Sequence, residues 1–521
     1  MKHMKKLVTL LLALIMALAL VVPASAYTVD NKTDHAYKAY QIFSGTQSTE
    51  SKPALGDVKW GNGIESAKFL TALKADTRFV TGDKNIFAAC TTAADVAAIM
   101  AKEQDKSAVA KAFANVAAQY LTNTAVNIAA KKTTSDVVLN PGYYLLVDVT
   151  TPGKGDAMNS ALLQVTGKGN IIIEQKYDAP SVGKSVKDTD GAWGEAADWC
   201  IGSNVPFQLI GKLPSNYADY ETYKYVFHDT LGAGLQYNGD VKVYVRNGEK
   251  DTELTTGFTV APDKAATAGG GSLTITFDNL KTITSITSSS SIVVKYTAKL
   301  LNTAVIGQHG NPNEVYLEYS SNPNFSGTGT PPTSETPKDT VLVFTYELDV
   351  NKVDGAETTK KLKDAEFKLQ NADGKWATVD NTNKVTGWVD TQDKGSILKT
   401  DANGLAKIIG LDAGNYKLHE TKAPAGYNKL KDPIDITITA ELDKGENTPA
   451  LKALTIKVGT GAAEKGDVAK GLVSTTVTNN SGATLPETGG VGTTLFYIIG
   501  GVLMVGAAVL LVTRKRMNNT K

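Results

Sequence analysis

The residues best placed to do chemistry are amines, amides and one exposed peptide, and none of them forms a recognisable catalytic cluster. Leu485-Pro486-Glu487-Thr488-Gly489-Gly490 precedes an uncharged apolar run from Leu495 to Val512 and then Arg514-Lys515-Arg516. Eighteen residues at about 1.5 Å rise nearly span a hydrocarbon core of roughly 30 Å. The basic cluster stays cytoplasmic by the positive-inside rule, which leaves the pentapeptide just outside the membrane. Gly489, Gly490 and Gly492 keep it extended and open to an enzyme cleft. Elsewhere, Val182-Gly-Lys184-Ser-Val186 sets a lysine among apolar neighbours, and Tyr225-Val-Phe-His-Asp229 does the same with an acid. Burial disfavours charge, lowering a lysine pKa and raising that of a carboxylic acid. A Lys–Asp pair in an apolar pocket can therefore exist as neutral amine and neutral acid, and such an amine is a nucleophile.

The alternatives are thin. There is no HExxH, GxSxG, Walker loop or CxxC, and the five histidines, at 3, 35, 228, 309 and 419, form no ligand-spaced cluster. No metal or other cofactor is expected. Charge nearly cancels, with 54 basic and 53 acidic residues, so nothing suggests nucleic-acid binding. Cys90 and Cys200 alone cannot staple an exported chain of 521 residues, and whether they pair is left open.

These residues need elements to hold them. Lys2, Lys5 and Lys6, the apolar Leu7–Val22 and Ala24-Ser25-Ala26 form a signal peptide over 1–26. Residues 27–176 alternate as strands at 35–45, 140–148, 161–166 and 170–175, with helices expected near Ile64–Lys74 and Ala93–Leu121. Val109, Phe113, Val116 and Tyr120 form one helical face there. This is a β-sandwich with a helical insertion. A second strand-rich domain follows over 177–335, ending in the Pro-rich linker 330–338, and a third over 336–484, before the sorting tail at 485–521. Asp188-Thr-Asp190-Gly191 reads as a surface turn, because an EF-hand glutamate position is occupied by Trp199.

LPETG, a membrane span and a basic tail together resemble the substrates of sortase transpeptidases of Gram-positive bacteria. With Asn170-Ile-Ile-Ile-Glu-Gln-Lys176-Tyr-Asp-Ala-Pro180, the chain resembles their backbone pilins, although Gln175 stands where many members carry Pro. The resemblance implies a mainly β chain of three tandem immunoglobulin-like sandwiches of CnaA and CnaB type. It implies that sortase cleaves Leu485-Pro486-Glu487-Thr488-Gly489 after Thr488, and that Lys176 of the next subunit receives the acyl group. Lys154, Lys168 and Lys187 are the competing amines. In the middle domain, Lys184 and Asn313 match the family's internal isopeptide pair and Asp229 the assisting acid, with Asn311 and Asn322 as alternative acceptors. The third domain resembles a CnaB domain with an E-box at Glu420, which implies a second bond from Lys352 to Asn479, with Asn480 as alternative. The separations are 129 and 127 residues, so both bonds are expected to join first strand to last.

Overlaying Leu139–Asp148 on Leu411–Glu420 and Gly45 on Gly355 puts Ile42 where Lys352 stands, so the first domain is expected to lack a cross-link. The resemblance further implies a non-enzymatic shaft subunit. Its partners are identical subunits joined head to tail, a pilus sortase, minor pilins, the membrane transiently, and peptidoglycan through a housekeeping sortase at the cell surface. A wall-anchored monomeric adhesin is the alternative.

Overall fold

The computed structural model describes residues 27–47, 55–104, 107–158, 162–166, 171–174, 178–325, 329–445, 448–482 and 491–518. The signal peptide, Lys168, Lys176 and the LPETG pentapeptide lie outside them. The chain is mainly β, built from paired sheets that enclose apolar cores.

In the first unit, Tyr27–Asn31 lies between Lys132–Leu139, antiparallel, and Ile171–Ile173, parallel. The facing sheet runs Leu55–Trp60, Tyr37–Gln47, Gly142–Asp148, Leu162–Thr166. Its far side carries the helices, with Phe43, Phe69, Phe87, Phe113 and Tyr143 in one aromatic cluster. A strand covered on both faces loses its alternation. Hence Tyr143-Tyr144-Leu145-Leu146 is buried throughout. The expected long helix is two, Ala93–Met100 and Ala108–Ala118. Each has its own N-cap: Thr92 forms a reciprocal capping box with Asp95, and Ser107 accepts from the Ala110 N–H. The shared helical face survives as Phe113 and Val116 in the core, with Val109 and Tyr120 packed against it.

The middle sandwich pairs two sheets. One runs Trp193–Gly194, Ser181–Lys187, Asn204–Lys212, Ser291–Leu300, Lys242–Asn247, Lys250–Leu254. The other runs Ala196–Asp198, Asp339–Phe344, Asn311–Ser320, Tyr225–Leu231, Gly271–Phe277, Thr259–Ala261. The expected linker 330–338 is therefore partly structured: Thr333–Glu335 and then Asp339–Phe344 both pair with Asn311–Ser320. The middle sandwich runs on to Phe344, past the expected boundary at 335. Asn313 thus lies on a strand followed by two more of the same sandwich, and the expected first-to-last plan is corrected for this domain.

The third unit repeats the plan of the first. Tyr346–Asp354 lies between Leu405–Leu411, antiparallel, and the final Leu472–Asn479, parallel. Tyr346 pairs with Leu411 as Tyr27 pairs with Leu139, so the opening strand of the first unit is Tyr27–Asn31. The overlay of Ile42 on Lys352 is corrected accordingly, because Ile42 belongs to the second strand.

The middle and third units share one continuous core. At their seam the Trp199 N–H donates to the Phe344 carbonyl (3.0 Å) and the Ile201 N–H to the Gly410 carbonyl (2.9 Å). Gly410 has φ +98° and meets Ile201 so closely that a Cβ has no room. Asp198 accepts from the Ala413 N–H (2.9 Å) and the Tyr346 hydroxyl (3.2 Å), and burial pushes its carboxyl up to about 7. Lys444, just past the Ile434–Asp443 strand, pairs with Asp188 at 2.6 Å. The Asp188–Gly191 turn is a turn, as expected, closed by Gly191 at φ +88° and a Gly191 N–H to Asp188 carbonyl bond of 3.0 Å.

Cys90 and Cys200 are both free and buried. The last described element is a helix, Val491–Asn518, whose Leu495–Met517 portion has mean hydropathy 2.6 and buries nothing against the rest of the chain.

Candidate functional site: two buried lysine–acid–asparagine groups

On Ser181–Lys187, Lys184 and Val186 point inward while Gly183 and Ser185 do not, so strand alternation alone sends the amine into the core. Asp229 and Asn313 come from neighbouring strands of the facing sheet, where Leu231 pairs with Asn313 and Asp229 with Val315. The Lys184 and Asp229 side chains touch, Nζ to Oδ2, and both are fully buried. Desolvation lowers the Lys184 amine and raises the Asp229 carboxyl, both toward the neutral form. Phe207 and Tyr296 flank the amine, each ring centroid 5.6 Å from Nζ.

The Tyr296 hydroxyl joins the three. It donates to Asp229 Oδ1 (3.0 Å) and accepts from Lys184 Nζ (3.2 Å) and Asn313 Nδ2 (2.7 Å). Asn313 Oδ1 is buried without a hydrogen-bond partner. A protonated acid that assists amine attack would donate to the amide oxygen and polarise its carbonyl; no hydrogen bond joins Asp229 to Asn313 Oδ1 here. Tyr296 itself escaped the sequence reading. Its only signal is a tyrosine at an inward position of Ser291–Leu300, and a buried hydroxyl needs a polar partner.

The alternative acceptors are engaged elsewhere. The buried Asn311 amide accepts from the Val305 N–H (2.9 Å) and donates to the Val305 and Val343 carbonyls (3.0 Å each), which makes it a loop pin. Asn322 accepts from the Asn324 N–H in a turn. Among the competing lysines, Lys154 is exposed and pairs with Glu335 at 3.1 Å, and Lys187 is half-buried.

In the third unit Lys352 and Asn479 lie on adjacent parallel strands of one sheet, with Lys352 opposite Val477 and Asp354 opposite Asn479. Glu420 reaches them from the facing sheet, on Gly414–Lys422. Lys352 Nζ is 3.5 Å from Glu420 Oε1 and donates to the Val477 carbonyl (3.3 Å). Burial brings its pKa down to about 8. Asn479 Nδ2 donates to Glu420 Oε2 (3.1 Å) and to the Asn428 carbonyl, while the Leu430 N–H steadies Oε2 at 2.7 Å. Asn479 Oδ1 is buried and unpartnered, like Asn313 Oδ1. Asn480 is exposed.

The first unit differs. Asp148, the position overlaid on Glu420, is met by His35 Nδ1 at 2.6 Å, and His35 Nε2 is 3.1 Å from Asp156.

Comparisons agree with this architecture. Residues 346–450 match the prealbumin-like fold domain model, and residues 477–519 the LPXTG cell wall anchor motif. The trypsin-resistant surface T6 protein of Streptococcus pyogenes serotype M6 is 25% identical over 438 residues, 71% of this chain and 75% of that protein. A fimbrial subunit type 1 of Actinomyces viscosus is 32% identical over 119 residues, 23% of this chain and 18% of that protein. The solved T6 backbone pilin of S. pyogenes, described as a modular three-domain structure, superposes with a TM-score of 0.51 at 16% identity, covering 89% of this chain and all of that one. The expected resemblance is borne out: the fold is that of a backbone pilin, and the C-terminus is an LPXTG anchor that attaches the chain to the cell wall.

Proposed function

We propose that this chain is the shaft subunit of a covalent surface pilus, a structural protein and not an enzyme. A pilus sortase cleaves after Thr488 and joins it to Lys176 of the next subunit, and heterologous contacts that do not close make a filament. Minor pilins accompany the shaft, and a housekeeping sortase passes the last subunit to peptidoglycan. Within each subunit, Lys184 bonds to Asn313 and Lys352 to Asn479, with Asp229 and Glu420 as the assisting acids. The first domain carries no such bond. The observation that supports this reading best is the pair of lysines, each fully buried against a carboxyl, each with an asparagine in the same polar cluster. Amine attack on the amide releases ammonia, so the intact mass of the mature ectodomain is expected to fall short of its sequence mass by two ammonia molecules. An unmodified mass overturns the internal bonds. Loss of the high-mass ladder from cell-wall extracts in Lys176→Ala tests the polymer, and a ladder that persists assigns the linking amine elsewhere.

A further inference from the structure

The two acids differ by one methylene, and so does what they can touch. Glu420 contacts both nitrogens of its reaction, Oε1 at 3.5 Å from Lys352 Nζ and Oε2 at 3.1 Å from Asn479 Nδ2. Asp229 contacts Lys184 Nζ and the Tyr296 hydroxyl, and it is that hydroxyl that meets Asn313 Nδ2. Resting on the cross-linking reading above, we propose that Tyr296 is a catalytic residue of the middle-domain reaction, carrying the proton from the attacking to the departing nitrogen.

The chemistry requires such a carrier. The Lys184 Nζ–Asn313 Cγ bond forms and the Cγ–Nδ2 bond breaks; Nζ goes from amine to amide and sheds one proton, while Nδ2 needs one to leave as ammonia. The Tyr296 oxygen lies 3.2 Å from Nζ and 2.7 Å from Nδ2. Once Nζ has added to Cγ, the former amide nitrogen gains a free lone pair; the hydroxyl proton turns from Asp229 Oδ1 to Nδ2 and is replaced by the one from Nζ, so tyrosine and Asp229 end unchanged. With one donated and two accepted bonds the hydroxyl is fully used. Its ring is fixed by stacking on Phe207, centroids 5.5 Å apart, so the oxygen is preset at that place. Burial raises the phenol well above its ordinary value, which keeps the proton on oxygen until it is needed.

Tyr296→Phe removes the hydroxyl and keeps the ring. Loss of a positioned proton carrier is expected to slow the Lys184–Asn313 bond by about 100-fold or more, read as the linked fraction of that peptide by mass spectrometry during a timed chase after synthesis. The Lys352–Asn479 peptide is the internal control and should link normally. Phe207→Leu, which loosens the same stack but leaves the hydroxyl, should still link. In Asp229→Glu/Tyr296→Phe the longer acid can reach both nitrogens, as Glu420 does, and linking should recover. Wild-type linking kinetics in folded Tyr296→Phe overturn the proposal while leaving the cross-link intact. If Tyr296→Phe does not fold, a fluorotyrosine at position 296, which keeps the hydroxyl and changes its acidity, decides: an altered linking rate supports the proposal, and a wild-type rate overturns it. A wild-type chain without either bond points instead to failure of the underlying reading.

Discussion

The middle and third domains carry the same three functional groups in different geometries. In the middle domain the amine comes from one sheet and both the amide and the acid from the other, so a Lys184–Asn313 bond staples sheet to sheet. In the third, amine and amide sit on neighbouring parallel strands and the acid alone crosses over, so a Lys352–Asn479 bond ties two strands of one sheet. What the lysine needs is constant: a dry pocket and a carboxyl. What the bond constrains is set by topology.

The largest expected effect is on stability. Each proposed bond would close a loop of well over 100 residues, which by chain entropy contributes about 4–5 kcal/mol. Asn313→Ala and Asn479→Ala should each lower the melting temperature by roughly 10–20 °C. Asn313→Ala should cost more, because the third-domain strands keep their eight-residue parallel ladder from Glu347–Leu472 to Asp354–Asn479 without the bond. Calorimetry on the two variants decides the order, and a larger loss in Asn479→Ala breaks the comparison.

Acid length comes next. Glu420→Asp pulls the carboxyl away from either Lys352 or Asn479 and should cut the third-domain bond yield by about tenfold or more. Asp229→Glu should leave the middle bond nearly complete, since the amide nitrogen there is held by Tyr296. Peptide mass spectrometry reads both, and equal losses mean that reach is not the distinction.

The placement of Asn313 has a mechanical consequence. The chain from Glu314 to Lys338, 25 residues, lies between the proposed middle cross-link and the strand Asp339–Phe344 that leads into the third domain. Tension that enters at Lys184 and leaves through Tyr346 bypasses 185–312, whereas this segment is held by non-covalent contacts alone among its described residues, including strand pairing with Tyr225–Leu231 and Asp339–Phe344, the Lys154–Glu335 and Lys224–Glu318 ion pairs, and hydrogen bonds to Gly155, Asp156 and Met158. Single-molecule pulling should show an extension of up to about 90 Å per subunit at 3.3–3.6 Å per residue. The third domain, whose bond lies at the exit of both strands, should add no comparable step.

Much of this was legible in the sequence, for identifiable reasons. The tail and the strand-rich segments follow from local pattern, and the lysines, acids and asparagines of both groups from the resemblance to backbone pilins. The Glu420 acid came with the E-box resemblance, a motif contiguous in sequence. Tyr296 was not found, because it is 112 residues from Lys184 and 17 from Asn313, and only sheet register brings its hydroxyl to them. The first-domain overlay failed for the same reason. Tyr27–Asn31 is a five-residue strand whose place is fixed by pairing with Ile171–Ile173 at the far end of the domain, whereas the longer 37–47 segment carries the stronger alternation. The single helix expected at 93–121 joined two helices whose faces happen to share one core.

The smallest effect separates the two sites by pH. In Asn479→Ala the Lys352 amine stays free, with its folded pKa near 8 against 10.5 unfolded. Between those values the unfolded chain binds more protons than the folded one, so stability rises with pH across that window and is flat below it. The gain should be on the order of 1 kcal/mol between pH 8 and 9.5, measured by urea unfolding. Wild type should show none of it, because an amide nitrogen does not titrate. Asn313→Ala should behave differently. Its Lys184 amine is also lowered and adds a rise toward alkaline pH, but the Asp229 carboxyl is raised from 3.8, so the folded chain holds the extra proton and stability falls as pH climbs above that value. Superimposable pH profiles in the two variants mean that burial does not raise the Asp229 carboxyl, and the neutral-acid half of the middle-domain pocket is then lost.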